Sequence, residues 1–292
     1  MKLSNFAAIA LLAYSPAGAS AALVVSAQGN TIGDQGLKEA NGSIKGGDPS
    51  IVAIQSIQNG DVFGGLVHLE ASLIGSGTAG YGTLSATLQA QARNQAAFAN
   101  VYEPSASGIL RMSFTDGAVV VSDTLPIGTA VVLTFVASLG SDFVATGRQA
   151  DPSHNGASVD FDGSVTDSIT GTTRGVFIGN GVAGATPPMV TFTLATEVGR
   201  VLSLTGDLNL GVEARAQNMQ SPTGGDVLST SSVIANHTAH LIYQPSGGVM
   251  LASDSGHDYT TSGPAAVPEP ASLYLAGLGL AAVLRRRRQR AR

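Results

Sequence analysis

The sequence predicts an all-β body in which antiparallel sheets pack as a sandwich or jelly roll. From residue 202 to residue 217, eight apolar–polar pairs alternate without interruption, and this period of two fits a strand and no helix. Similar segments recur along the chain between clusters of Gly, Pro, Asn and Asp, which favour turns. No helical period separates them, and strands with one polar face each favour antiparallel pairing.

Eleven strands are predicted in order along this body. They cover residues 51–58, 66–74, 84–93, 110–114, 118–122, 129–138, 175–178, 189–195, 202–217, 233–243 and 249–251. The Ala, Leu and Gln residues of 84–93 also favour a helix, so a helical end near residues 94–99 is an alternative. Asp116-Gly117 is assigned to a turn between two strands.

The domain organisation follows from these strands. Residues 22–252 have the length of one β domain, and no linker or fixed-period repeat divides them. The first part of this body, residues 22–50, is expected to be flexible. Residues 253–266 are predicted to form a polar stalk between the body and the C-terminal segment.

Composition and charge exclude several classes of protein. With no Cys, the chain has no disulfide framework, no thiolate metal site and no Cys nucleophile. Between residues 22 and 267 there are 8 basic and 19 acidic side chains, so the body is more acidic than the net charge of -5 suggests. Such a body repels nucleic acid, and no nucleic-acid partner is expected.

The N-terminal residues 1–21 have the pattern of a cleaved secretory signal peptide. Lys2 supplies the basic start, residues 6–14 are apolar, and Ala19-Ser20-Ala21 fits the A-x-A cleavage pattern. Nine apolar residues are too few to span a hydrocarbon core of about 30 Å, so a permanent N-terminal anchor is the weaker alternative.

The C-terminal end combines three features in order. Pro268-Glu269-Pro270 is followed by the uncharged, apolar segment 271–284 and then by an arginine cluster that begins with Arg285, Arg286, Arg287 and Arg288. As a helix, 271–284 would be about 21 Å long, which is short for a permanent anchor. The arginines should stay cytoplasmic, which places the body on the outer side of the inner membrane.

This end of the chain, residues 267–292, resembles the PEP-CTERM sorting signal. The resemblance implies recognition by an exosortase, a membrane-embedded protease of Gram-negative bacteria, with transient residence in the inner membrane through 271–284. It also implies removal of the helix and basic tail near the Pro-Glu-Pro motif, and delivery to the cell surface or the extracellular matrix. Proteins with this signal are commonly associated with exopolysaccharide and biofilm.

No contiguous motif predicts catalysis. Residues 75–80 and 179–184 match G-x-G-x-x-G, but neither lies in a strand–helix–strand context, so both are interpreted as hairpin loops. No nucleophile, zinc or phosphate-binding motif occurs in the sequence. The chain is therefore expected not to be an enzyme.

An acidic cluster is the best candidate for a ligand site. It consists of Asp151, Asp160, Asp162 and Asp167. On a strand, Asp160 and Asp162 would share one face, and with nearby carbonyl groups these carboxylates could bind Ca²⁺. A solvated polar loop is the favoured alternative, and no other cofactor is expected.

Three functions remain from the sequence. The first is a non-enzymatic surface or matrix protein with a structural or adhesive role. The second is a binding module for carbohydrate, ice or Ca²⁺, because a Thr-rich segment at residues 166–173 could present ordered hydroxyl groups. The third is a secreted hydrolase whose site is assembled from distant strands.

Overall fold

The computed structural model describes residues 21–33, 36–45, 47, 49–96, 102–148, 156–179, 189–216 and 227–260. In these ranges the chain forms strands and turns and no helix, which confirms the all-β prediction. None of the described residues belongs to a helix long and apolar enough to cross a membrane. The predicted signal peptide, apart from Ala21, and the predicted C-terminal helix lie outside the described residues.

Fourteen strands are present in the described part of the chain. They are β1 (Ala22–Gly33), β2 (Gly36–Asn41), β3 (Ser43–Lys45), β4 (Ser50–Val62), β5 (Val67–Gly80), β6 (Thr83–Ala96), β7 (Ser105–Ser122), β8 (Ala130–Arg148), β9 (Gly156–Asp167), β10 (Thr173–Gly179), β11 (Met189–Glu197), β12 (Val201–Arg215), β13 (Val227–Gln244) and β14 (Val249–Ser253).

The strands form two antiparallel sheets. Sheet A has the order β10-β9-β12-β7-β1-β2, and β14 also pairs with β7; sheet B has the order β11-β8-β13-β6-β5-β4-β3. β1 pairs with residues 105–115 of β7 and β14 pairs with residues 118–122. Because β12 occupies the other side of β7, β1 and β14 lie end to end along the same side. The first and last strands of the body therefore meet beside one central strand.

The alternating sequence pattern becomes an inner and an outer face in each sheet. In β12, Leu202, Leu204, Gly206, Leu208 and Leu210 are buried, while the residues that alternate with them are half-buried or exposed. Inner-face residues of both sheets join in one hydrophobic cluster. The two sheets thus pack face to face as a sandwich, as the period of two predicts.

Glycines on the inner faces make room for large side chains of the opposite sheet. A Cβ added to Gly108 of sheet A would lie 2.8 Å from the methyl carbons of Leu73 in sheet B. In the reverse direction, a Cβ added to Gly77 of sheet B would lie 2.5 Å from Sδ of Met112 in sheet A. Gly77 belongs to the G-x-G-x-x-G match at 75–80. Because these residues lie within a strand, the interpretation of that match as a hairpin loop is wrong. Its residues form part of β5, and its first two glycines contribute to sheet packing.

Several strand boundaries also differ from the prediction. Residues 22–33, which were expected to be flexible, form β1, because Val25 and Ala27 are buried between the sheets. β6 continues as a strand to Ala96, so residues 94–96 are not helical, and residues 97–99 of the predicted helical end lie outside the described residues. β7 runs unbroken through Asp116-Gly117, because the Asp116 side chain is buried and finds its hydrogen-bond partners inside the body.

The predicted stalk does not begin at Ser253. Residues 254–260 fold back on the body, and His257 and Tyr259 are only 3% and 2% exposed. We call residues 254–260 the C-terminal latch. The rest of the predicted stalk lies outside the described residues.

We expect Gly29→Ala to destabilise the body by about 1–3 kcal/mol, because overpacking a close sheet contact forces neighbours to move. The added Cβ would overlap the Leu73 side chain and lie 2.6 Å from the carbonyl oxygen of Ser107. Urea unfolding followed by circular dichroism measures the change. The matched control is Gly156→Ala, whose Cβ would meet no atom within 4 Å. Equal stability of the two variants would contradict the packing argument.

Candidate functional site

The predicted acidic residues lie on different faces of β9. Asp160 and Asp162 share the outer face of sheet A, as their spacing predicts, whereas Asp167 is turned inward and is 1% exposed. Asp151 lies outside the described residues. Within the described ranges, no three His, Cys, Asp or Glu side chains are grouped closely enough to hold a metal ion. A calcium site that includes Asp151 stays a prediction.

Asp167 stabilises the turn between β9 and β10. Its Oδ1 accepts hydrogen bonds from the backbone N–H groups of Ile169 and Thr170 at 2.9 and 3.0 Å, and its Oδ2 accepts one from Thr196 Oγ1 of sheet B at 2.7 Å. Burial alone would raise the pKa of Asp167, but these hydrogen bonds and the charge of Arg200 outweigh it and hold the pKa below the ordinary value. The residue therefore joins the two sheets at this edge.

A second acidic pair lies on the outer face of sheet A. Asp162 of β9 stands opposite Asp207 of β12, and Asp160 accepts a hydrogen bond from Asn209 Nδ2 at 2.9 Å. Burial, followed by the negative charge of Asp162, raises the pKa of Asp207, while a hydrogen bond from Ser113 partly offsets the rise. Asp207 was not selected from the sequence, because its proximity to Asp162 depends on strand register.

A polar groove crosses the outer face of sheet A beside this pair. Its volume is about 770 Å³, and a smaller hollow of about 370 Å³ continues it toward Asp160 and Asn209. The groove runs over β9, β12, β7, β1 and β2, and the polar side chains that line it are Gln28, Asn30, Glu39, Ser107, Ser158 and Glu213. Its walls thus offer amide, hydroxyl and carboxylate groups beside apolar surface of similar extent.

Small residues keep the groove open. Gly211 has no side chain, and a Cβ there would lie 2.6 Å from Ser158 Oγ, so the glycine makes space for that hydroxyl group. Ile109, which is 45% exposed, supplies an apolar patch on the floor. The groove therefore combines apolar surface with hydrogen-bonding groups in about equal parts.

Neighbouring contacts orient the polar walls. Ser107 Oγ donates to Asn30 Oδ1 at 2.5 Å, and the Arg215 guanidinium pairs with Glu213 at 2.5 Å. Such contacts limit the rotamers of the amide and the carboxylate before any ligand arrives, which lowers the entropy cost of binding.

The C-terminal latch is held by a buried carboxylate. Asp116 lies on the inner face of β7 and is 0% exposed. Its Oδ1 accepts a hydrogen bond from the backbone N–H of Ser255 at 3.1 Å. Its Oδ2 accepts hydrogen bonds from Ser255 Oγ at 2.5 Å and from the Tyr259 hydroxyl at 2.9 Å. Burial raises the pKa of Asp116, and the hydrogen bonds from Ser255 and Tyr259 offset only part of the rise.

The latch contacts both sheets. Its Asp254 N–H donates to the Gly117 carbonyl of sheet A at 2.7 Å, and the Tyr243 N–H of sheet B donates to the Tyr259 carbonyl at 2.7 Å. The Tyr259 ring lies 6.4 Å from the ring of Phe114 and 4.6 Å from that of His257. These contacts close the core at the point where the described chain ends.

Sequence reasoning missed both the groove and the latch. Asp116 precedes a glycine, and the Asp-Gly pair is a strong local turn signal that hides its buried role. Two of the five strands across the groove, β1 and β2, lie in the segment that was expected to be flexible. The apolar residues Val25 and Ala27, two positions apart, were the available signal in the sequence, but Gly29 interrupts this alternation.

Comparison with protein families identifies the C-terminal end. Residues 266–288 match the model of the PEP-CTERM protein-sorting motif. The chain carries a PEP-CTERM sorting motif. The match includes Pro268, Glu269, Pro270 and the cluster Arg285 to Arg288, all of which lie outside the described residues. No curated protein matches the chain.

The PEP-CTERM motif indicates how the protein is exported and processed. It implies export through the inner membrane toward the cell surface of a Gram-negative bacterium, and processing by an exosortase. The motif covers only the C-terminal end, so what the β body does must be argued from its own surface.

We expect the stability of wild type relative to Asp116→Asn to fall as pH rises. The folded state raises the pKa of Asp116 above its ordinary 3.8, so the stabilisation is complete below that pH and is lost as pH rises through the raised pKa. Asn cannot titrate, and the hydroxyl groups of Ser255 and Tyr259 can turn to suit it. Urea unfolding at a series of pH values measures the difference.

Asp167→Asn is the matched comparison, with the opposite sign. The folded state lowers the pKa of Asp167, so wild type should have its advantage over this variant above pH 3.8 and lose it as pH falls through the lowered pKa. Parallel pH profiles for the two variants would show that burial does not dominate at Asp116.

Proposed function

We propose that the protein is an exosortase-processed, non-enzymatic protein of the cell surface or extracellular matrix, with a structural or adhesive role. The PEP-CTERM motif supports the route, and the polar groove on sheet A supports adhesion. The occupant that the groove suits best is a neutral polysaccharide chain, such as a strand of exopolysaccharide.

The lining of the groove supports this ligand class. Gln28, Asn30 and Glu213 each carry two polar atoms on one planar group. In Asn30 and Glu213 one of these atoms already bonds to Ser107 or Arg215, which orients the other toward a sugar hydroxyl group. Ile109 offers an apolar surface for the face of a sugar ring. The body carries 19 acidic and 8 basic side chains between residues 22 and 267, so it disfavours anionic polymers.

Ice and calcium binding receive less support. The Thr-rich segment does expose hydroxyl groups, but they bond to one another: Thr166 to Thr173 at 2.9 Å and Thr170 to Thr172 at 3.0 Å. Hydroxyl groups engaged in this way are poorly placed to order a layer of water. A calcium site would need ligands beyond the described carboxylates.

A secreted hydrolase is the third candidate. Asp162 and Asp207 form a carboxylate pair with one raised pKa, which is a property that glycoside hydrolysis uses. The pair lies on the outer face of a sheet rather than inside an enclosed cleft, and this favours a binding role over catalysis.

Mapping the C-terminus of the exported protein tests the proposed route. Mass spectrometry of protein recovered from the cell surface should find a terminus near Pro268-Glu269-Pro270, with residues 271–292 removed. An intact Arg292 in the inner membrane would contradict processing and would leave the motif acting as an anchor.

Binding to exopolysaccharide tests the adhesive role. We expect the protein to bind the neutral fraction of exopolysaccharide from the producing cells, and Asn30→Ala to weaken binding about tenfold, the scale of one lost hydrogen bond of about 1.5 kcal/mol. Affinity electrophoresis measures this.

The matched control is Gln89→Ala on the outer face of sheet B, which should bind as wild type does. Equal binding by Asn30→Ala and wild type would remove the groove as the adhesive site.

A further inference from the structure

The C-terminal latch lies directly before the sorting motif. It ends at Thr260, and the motif begins at residue 266, so only residues 261–265 separate them. A fully extended chain spans at most about 3.5 Å per residue, so these residues allow a separation of at most about 20 Å. With the latch closed, the folded body must stay this close to the start of the motif.

Opening the latch would more than double that limit. The next contact toward the N-terminus is β14, which ends at Ser253, so residues 254–265 would then separate the body from the motif. At about 3.5 Å per residue, this longer tether reaches about 45 Å. Opening the latch therefore lengthens the chain between the last described contact with the body and the motif from five residues to twelve.

Asp116 is the centre of the latch. It accepts three hydrogen bonds from latch residues, one from a backbone N–H and two from side-chain hydroxyl groups. It lies on the inner face of β7 and is fully buried, as is Tyr259, so its hydrogen bond with the Tyr259 hydroxyl is shielded from water. Removing the carboxylate leaves the buried Tyr259 hydroxyl and the two half-buried donors of Ser255 without their acceptor, a loss that favours release of the segment.

We propose that Asp116 is a positioning residue for exosortase processing: by closing the latch it keeps the folded body close to the motif and slows removal of the sorting segment. This inference rests on the proposed processing step. The bond to be cut lies between the body on one side and the apolar segment 271–284 on the other. A membrane-embedded protease has little room there while the tether is five residues long. The rate at which the latch opens then limits the rate at which the body is released from the membrane.

Pulse-chase labelling of the full chain in cells that contain the exosortase tests this role. The fraction of protein that has lost residues 271–292 is followed over time by electrophoretic mobility and mass spectrometry. We expect Asp116→Ala to shorten the half-time of processing about threefold or more, because a tether too short for the span that it must cover suppresses the encounter. Hydrogen exchange of the backbone amides of residues 254–260 reports in parallel whether the latch has opened.

Asp167→Ala is the matched control. Asp167 is also buried and also accepts three hydrogen bonds, but its partners belong to the turn after β9 and to Thr196, away from the latch. It should leave the processing half-time and the exchange of residues 254–260 unchanged. A general loss of stability would instead affect both variants alike.

Two further variants keep the test decisive if Asp116→Ala fails to fold. Ser255→Ala combined with Tyr259→Ala removes the side-chain donors from the latch and leaves β7 intact. Seven Gly and Ser residues inserted after Ser262 lengthen the tether while Asp116 keeps its partners. Both should speed processing as Asp116→Ala does.

The outcomes separate this inference from the proposed function. If wild type is never processed, the proposed route fails. If wild type is processed, and an open latch or a longer tether leaves the half-time unchanged or lengthens it, only the positioning role of Asp116 is overturned.

Discussion

The close approach of the two sheets is the constraint on which the rest of this body depends. Without Cys, burial between the inner faces must hold the chain together, and at several points of close approach a glycine faces a large side chain of the opposite sheet. Gly29 and Gly108 accommodate Leu73, and Gly77 accommodates Met112. These pairs fix how one sheet lies over the other, and a shift of one residue in any strand would turn its apolar side chains outward.

Because the inner faces fix the strand register, they also determine which polar side chains lie together on the outer faces and at the edge of the core. Polar residues that are distant in sequence fall into shared rows, which is how β1, β7 and β12 come to line one groove. Asp116 and Asp167 are exceptions, because each is an acidic side chain turned inward. At Asp116 the C-terminal latch supplies the hydrogen-bond donors that this position requires, so a local departure from the alternating pattern anchors the end of the chain.

The features that could be predicted from the sequence are those written in contiguous residues. The regular alternation of β12 predicted its buried face, and the C-terminal motif was visible as a Pro-Glu-Pro sequence, an apolar segment and arginines in order. The groove and the Asp162–Asp207 pair depend on strand register, which no local pattern reveals. Asp116-Gly117 was wrongly assigned to a turn because the same Asp-Gly pair fits both a turn and a buried, hydrogen-bonded carboxylate within a strand.

The end-to-end arrangement of β1 and β14 bears on chain topology. Ala22 pairs with Thr115 and Ser253 pairs with Ala118, so the two strand ends are about 10 Å apart along β7 at about 3.3 Å per residue. Together the two strands occupy the place of one strand that has been interrupted. The start of β1 and the end of β14 therefore lie close together. A circular permutant that joins these two ends and opens the chain at another turn would keep every strand pairing.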